Sequence, residues 1–211
     1  MRLTVRTEVA IPVGHPPVPA IFTTFDGLPP GQEHFVVGLG PCRGQDPVLV
    51  RIHSECITGD LFASRRCDCG PQLEEAVNRF HRDGGYVVYL RQEGRGIGLY
   101  AKLEAYVLQD QGLDTYEANR HLNFPDDLRA YVSAAEMLRA TGVTRVRLLT
   151  NNPQKVTDLR LAGLDVVEVV PTGVFADEIN HRYLQSKVSH ARHTLRLSDN
   201  GRAAPTEEII T

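Results

Sequence analysis

Cys56, Cys67 and Cys69 lie within one run, HSECITGDLFASRRCDCGPQL, with ten residues between the first and second and one between the second and third. This spacing constrains the fold before any strand or helix is assigned. Two thiolates can grip one ion from a tight turn while the third closes on it from the preceding strand. Structural zinc sites usually have four protein ligands, whereas catalytic ones keep a position open. Here three cysteines fit the pattern, and the other one, Cys42, lies outside it between Pro41 and Arg43. Soft thiolates favour zinc over magnesium or calcium. The competing readings are three ordinary buried thiols, or a zinc that staples a loop with His53 or a distant histidine as fourth ligand. The spacing favours a catalytic metal.

The surrounding segments place this cluster at a seam. LTVRTEVAIPV, AIFTTF, HFVVGLG and PVLVRIHSE read as strands separated by turns such as DGLPPG and GPCRGQDP. From Pro71 the period changes. PQLEEAVNRFHRDGG sets Leu73, Val77 and Phe80 at helical spacing with Gly84 and Gly85 as the stop, and YVVYLRQ follows as a buried strand. Further helices are expected from about Gly98 to Gln111 and from about Asp127 to Thr141. RVRLLT, NNPQKVTDLRLAGL and DVVEVVP then form a strand, helix, strand unit suited to a parallel crossover. The fold class is therefore mixed α/β (α+β). Residues 1–195 are expected to form a single catalytic domain, β-rich over 1–70 and α/β over 71–195. NHRYLQSKVSHARHTL is expected to be an amphipathic helix, and residues 196–211 a loose tail.

In 211 residues, 42% hydrophobic content is enough for a real core. No stretch reads as a membrane span or a secretory leader, so no membrane partner is expected. Thiolates that bind metal need a reducing compartment, and four cysteines are too few for a disulfide framework. A cytoplasmic location follows. The net charge of −3 argues against wrapping a long nucleic acid but allows a local pocket for a small phosphorylated molecule.

Two further motifs suggest such a pocket. In RQEGRGIGL, Arg91, Gln92, Glu93 and Arg95 follow a strand, and Gly94, Gly96 and Gly98 precede a helix. Glycines there allow close backbone approach, and the helix start favours an anion. The spacing is not that of the dinucleotide fingerprint. Glu93 could accept two hydrogen bonds from the N1 imino and N2 amino groups of guanine, a pattern adenine lacks; the alternative is a solvent-exposed loop glutamate. In LLTNNPQK a strand ends at Thr150 and Pro153 opens a helix, with Lys155 in its first turn. A cation there opposes the helix dipole, a small cost that a bound phosphate would remove.

Together, HSECITGDLFASRRCDCGPQL, RQEGRGIGL, LQDQGLDTYEAN, FPDDLRAY and LLTNNPQK resemble GTP cyclohydrolase II, in order from about Pro47 to Lys187. The resemblance implies a hydrolase acting on cyclic amidine C–N bonds. It opens the guanine ring of GTP at C8 with zinc, releases formate, and cleaves pyrophosphate with magnesium. The product is 2,5-diamino-6-ribosylamino-4(3H)-pyrimidinone 5′-phosphate, the first intermediate of riboflavin synthesis. The resemblance also implies a homodimer and one zinc on Cys56, Cys67 and Cys69. The implied substrate-binding set is Arg51, Ile52, His53, Ser54, Glu55, Gln72, Glu93, Gly94, Arg95, Thr115, Thr150 and Lys155. In catalysis it implies Asp127 as proton acceptor, Arg129 as nucleophile and Tyr106 in proton transfer during ring opening. By spacing alone Tyr106, beside Leu103 and Val107, reads as core. Arg129 could equally stabilise phosphoryl charge, because a guanidinium keeps its proton to a pKa above about 12.

The chain departs from the family pattern in two places. Asn123 stands where a Gly is usual, and the Gly-His that normally follows Lys187 is absent. No complete dihydroxybutanone-phosphate synthase partner domain is read in the sequence. Alternatives are a family member that stops at a formamide or serves a specialised pathway, and a zinc-stapled nucleic-acid module. A zinc deaminase would need a later Pro-Cys-x-x-Cys pattern that the sequence lacks.

Overall fold

The computed structural model describes residues 3–14, 16–181, 183–185 and 188. Seven strands form one mixed sheet in the order β1-β2-β3-β5-β4-β6-β7. The strands are β1 (Thr4–Val13), β2 (Val18–Asp26), β3 (Phe35–Leu39), β4 (Val48–Ser54), β5 (Gly85–Leu90), β6 (Arg145–Leu149) and β7 (Asp165–Val170). The first three are antiparallel neighbours and β3 pairs antiparallel with β5. From β5 onward every pair, β5 with β4, β4 with β6 and β6 with β7, is parallel. The β-rich part and the α/β part thus share a single sheet.

The central strand β4 is the continuous apolar run expected of a parallel strand covered on both faces; six of its seven residues are buried. The two faces pack separate cores. Val36, Val88, Val50 and Leu148 turn toward helices α5 (Val132–Ala140) and α6 (Pro153–Leu161). Their neighbours Val37, Val87, Leu49 and Leu149 turn toward Ala76 and Phe80 of helix α2 (Cys69–Asp83). This alternation is the two-residue period of a pleated strand.

The remaining helices stand above the carboxyl ends of the parallel strands: α1 (Ile57–Asp60), α3 (Leu99–Asp110) and α4 (Thr115–His121). α4 was not anticipated, although Asp114 and Glu117 form a complete capping box at its start. The helix expected from Asp127 begins only at Val132. The Asp127 carboxylate accepts hydrogen bonds from the backbone N–H and guanidinium of Arg129, and this local turn competes with a first helical turn. The helix expected near the C-terminus falls largely outside the described residues, and the 196–211 tail wholly so. Asn123 has φ +61°, a left-handed turn that Gly enters freely and Asn tolerates better than most residues.

Candidate active site

The β4 strand ends at Ser54, and two residues later Cys56 precedes α1. Cys67 and Cys69 arrive from the following loop, Cys69 being the first residue of α2. Their three Sγ atoms lie within 4.8 Å of one another. Cys56 and Cys67 are 3.6 Å apart, close to the ~3.8 Å edge of a tetrahedral zinc–thiolate site with 2.3 Å bonds. The arrangement depends on two glycines. A Cβ on Gly59 would lie 2.9 Å from the Cys67 sulfur, and one on Gly70 would lie 2.4 Å from the Gly59 carbonyl oxygen.

The protonation pattern also suits a cation. Hydrogen bonds from Cys67 and Cys69, with Lys102 beside them, hold the Cys56 thiol far below its ordinary range. Facing that sulfur, the Cys67 thiol is pushed up to about 11, and Cys69, also buried, well above a normal thiol. The cluster alone thus carries one negative charge comfortably, and a divalent ion is what would let all three ionise. The donor set fits zinc.

Lys102, on α3, is buried beneath the cluster. Its Nζ donates to Cys56 Sγ at 3.2 Å, Thr58 Oγ1 at 3.0 Å and Glu93 Oε1 at 2.8 Å. Burial by itself would lower its pKa, but the Cys56 and Glu93 charges raise it above the ordinary lysine value. Glu93 Oε1 also accepts from Gly94 N–H, and Oε2 from Ile57 N–H at 2.6 Å. On the other side of the cluster a buried Asp60 carboxylate binds His53 Nε2 at 3.0 Å, Cys56 N–H at 3.0 Å and Tyr89 OH at 2.7 Å. His53 is therefore engaged by a carboxylate and is not part of the three-ligand group.

The glycine loop builds the adjoining wall. Gly94, Arg95 and Gly96 all have positive φ, and a Cβ on Gly96 would lie 2.8 Å from Leu128 Cβ. Arg95 in this conformation stacks its guanidinium 4.3 Å from the Tyr116 ring and accepts Leu128 N–H on its carbonyl. That contact fixes the segment carrying Asp127 and Arg129. Asp127 grips Arg129 with both oxygens, at 2.9 Å from Nε and 2.5 Å from Nη2. Burial alone would lower the Arg129 pKa, but the Asp127 bond raises it overall; the same bond lowers Asp127 against its own desolvation.

A family model described as GTP cyclohydrolase II matches residues 8–171. The chain is 51% identical over 195 residues to GTP cyclohydrolase-2 of Vibrio cholerae, covering 92% of this chain and 98% of that protein. The chain belongs to the GTP cyclohydrolase II family. It is also 46% identical to the GTP cyclohydrolase-2 of Psychromonas ingrahamii, over 91% of this chain and 97% of that one. The riboflavin biosynthesis protein RibBA of Bacillus subtilis is 54% identical over 168 residues, 78% of this chain and 42% of that longer protein.

In this GTP cyclohydrolase II chain, one pocket gathers the three cysteines, Ser54, Glu55, Glu93, Gly94, Arg95, Tyr106, Thr115 and Arg129. Arg51, Ile52, His53, Gln72, Thr150, Lys155 and Asp127 do not line it. The Ile52 side chain is in the core. Arg51 is buried against Gln72, which in turn bonds Asp68. Lys155, expected to present its charge at a helix start, is buried with Nζ on the Ile52 carbonyl at 2.7 Å, while Thr150 accepts Asn152 N–H. Arg51, His53, Thr150 and Lys155 are buried, whereas Asp127 is exposed and reaches the pocket through Arg129. Glu93, expected to fork onto guanine, already accepts three hydrogen bonds of the roughly four a carboxylate can take. Tyr106 faces the pocket, and Leu103 and Val107, the neighbours that suggested a core role for it, are exposed. Sequence reading missed Lys102, Gln109, Asn119 and Tyr183 among the lining residues. The first two lie on the same face of α3 as Tyr106, at i−4 and i+3, a signal available once Tyr106 is placed.

Proposed function

We propose that this chain is a zinc-dependent GTP cyclohydrolase II that converts GTP to formate, pyrophosphate and the diaminopyrimidinone ribosyl phosphate at the head of riboflavin synthesis. The observation that carries this reading is the three-sulfur cluster opening into a pocket with Tyr106 and Arg129, in a chain that covers nearly the whole of its GTP cyclohydrolase-2 relatives. Cys56, Cys67 and Cys69 would hold the zinc, which when bound would supply Lewis-acid activation of water for attack at guanine C8. Tyr106, whose phenol is kept protonated by burial against the opposing pull of Lys102 and Thr58, gives and takes the proton as the C8–N9 bond breaks. Arg95, Ser54, Glu55 and Thr115 hold the nucleotide. Arg51, His53, Gln72, Thr150 and Lys155 act from behind as supports, and Glu93 has room for one further hydrogen bond.

Arg129 neutralises charge on the phosphates, and a magnesium ion arriving with the nucleotide would supply further positive charge there. The lowered Asp127 and raised Arg129 support a fixed cation over a nucleophile, since attack would require Asp127 to take a proton that this pairing holds on the guanidinium. We place the enzyme in the cytoplasm, and no helix among the described residues is long and apolar enough to cross a membrane. A homodimer is supported by an uncovered apolar face: Tyr100, Leu103 and Val107 on α3, with Leu61 and Phe62 in the loop that Arg66 ties to Tyr106 and Asp110. Sedimentation at micromolar concentration should show two copies.

The direct test is to incubate the zinc-loaded protein with GTP and magnesium, identify the products by mass, and quantify formate and pyrophosphate. Equal yields of formate and pyrophosphate are expected. A product that keeps the formyl carbon would move the chain to a formamide-forming member of the family, and intact GTP would overturn the reading.

A further inference from the structure

A buried lysine donates to one of the three clustered sulfurs while bridging two other parts of the site. Lys102 has a side chain 10% exposed, and its ammonium donates three hydrogen bonds, to the Cys56 sulfur, the Thr58 hydroxyl and the Glu93 carboxylate. Glu93 in turn is anchored by the N–H groups of Ile57 and Gly94, so it cannot swing away from the ammonium. Lys102 Nζ also stands 5.7 Å from the centre of the Tyr106 ring, one helical turn along α3. One cation therefore bonds the clustered sulfur and the glycine-loop carboxylate and lies over the ring of Tyr106.

We propose that Lys102 is a positioning residue that sets the charge of the thiolate centre, and that Glu93 serves chiefly to hold Lys102 against Cys56. The proposal rests on the zinc reading above. Three thiolates around a divalent ion carry one excess negative charge, which weakens the ion as a Lewis acid. An ammonium hydrogen bond to one of those sulfurs draws electron density from it and offsets that excess. The arrangement also explains why Glu93 is buried in a glycine loop: its carboxylate fixes the cation, and the loop backbone fixes the carboxylate.

The experiment uses full-length protein, with zinc affinity measured by chelator competition and with cobalt(II) substituted for zinc as a spectroscopic probe. Lys102→Met keeps the length of the side chain and removes the charge and donors. It should bind zinc about 10- to 100-fold more weakly. Its sulfur-to-cobalt charge-transfer band should move to lower energy, because the sulfur regains electron density. Its kcat for GTP should fall while KM moves by less than about threefold, since the ammonium is engaged by Cys56, Thr58 and Glu93. Lys102→Arg, which keeps the charge, should recover most of the zinc affinity while still moving the band. Glu93→Gln should loosen the lysine and give an intermediate version of the Met phenotype.

A Lys102→Met protein with unchanged zinc affinity and an unmoved band would overturn the proposal while leaving the zinc reading intact. A wild-type protein that bound no metal would overturn both. Should Lys102→Met not fold, the Arg variant decides: an unmoved cobalt band there rejects the proposal, and a moved band with retained affinity supports it.

Discussion

The two ends of the sheet make opposite uses of the same residue types. At the end where β4, β5 and β6 finish, three cysteines, a lysine and a glutamate converge out of water, and glycines hold the backbones so close that a methyl group would collide with sulfur or carbonyl oxygen. The other end carries a buried cysteine as well, Cys42, beside Tyr86 in a cavity of about 360 Å³. That cavity is about four times the roughly 90 Å³ found at the sulfur cluster. Its charged groups are nonetheless spent on one another: Arg43 pairs with Glu8, and Arg145 with Asp46 and Asp165. Volume alone does not locate chemistry. Convergent buried charge around clustered sulfurs does.

The contrast is sharpest if Cys67 is replaced by Ser. Zinc content should drop to background together with formate release, while some pyrophosphate release persists and yields GMP; formate at the normal rate from zinc-free protein would remove the cluster from C8 chemistry. Next in size is Arg129→Ala, expected to lower pyrophosphate release by about a thousandfold, measured by coupled assay. Continued ring opening of the intact triphosphate in this variant would favour the charge-stabilising role, and joint loss of formate the covalent one. Tyr106→Phe should keep its zinc and lower formate release by roughly a hundredfold, with mass spectra showing intact guanine or a stalled formamide. A milder disturbance is Gly59→Ala, whose new methyl group must displace the Cys67 sulfur; zinc affinity should weaken roughly tenfold to a hundredfold without loss of the sheet's circular dichroism. At the opposite end, Cys42→Ala should leave zinc stoichiometry and turnover unchanged and cost about 1 kcal/mol in denaturant unfolding. A loss of activity there would break the comparison.

What could be read from the sequence follows the range of the forces involved. Strands such as VLVRIHS and the helix after Pro153 are local patterns of apolar period, cap and breaker, and they appear where the residues place them. The cysteine cluster was legible because its spacing is itself a statement about distance. The start of α5 was misplaced because Asp127 has a choice between capping a helix and gripping Arg129, and the sequence does not show which partner wins. Glu93 was visible as a carboxylate in a glycine loop, but Ile57 and Lys102, which occupy it, lie on other elements. Lys102 went unnoticed for the same reason. Within LYAKLEAY it reads as an ordinary surface lysine, and only the packing of α3 over the strand ends reveals its neighbours.

The placement of β4 between β5 and β6 also has a consequence for how the chain is made. Val48 pairs with Val146, so the strand that leads into the first clustered cysteine lacks one of its two neighbours until just over two-thirds of the 211 residues exist. The antiparallel β1–β3 meander can form early on the ribosome, whereas the parallel half must wait for distant chain, the kind of long-range pairing that folds slowly. During that wait the three thiols stand beside an incomplete sheet. The early-emerging cysteines would then be exposed to oxidants and to stray metal ions for longer than their burial in the finished molecule suggests.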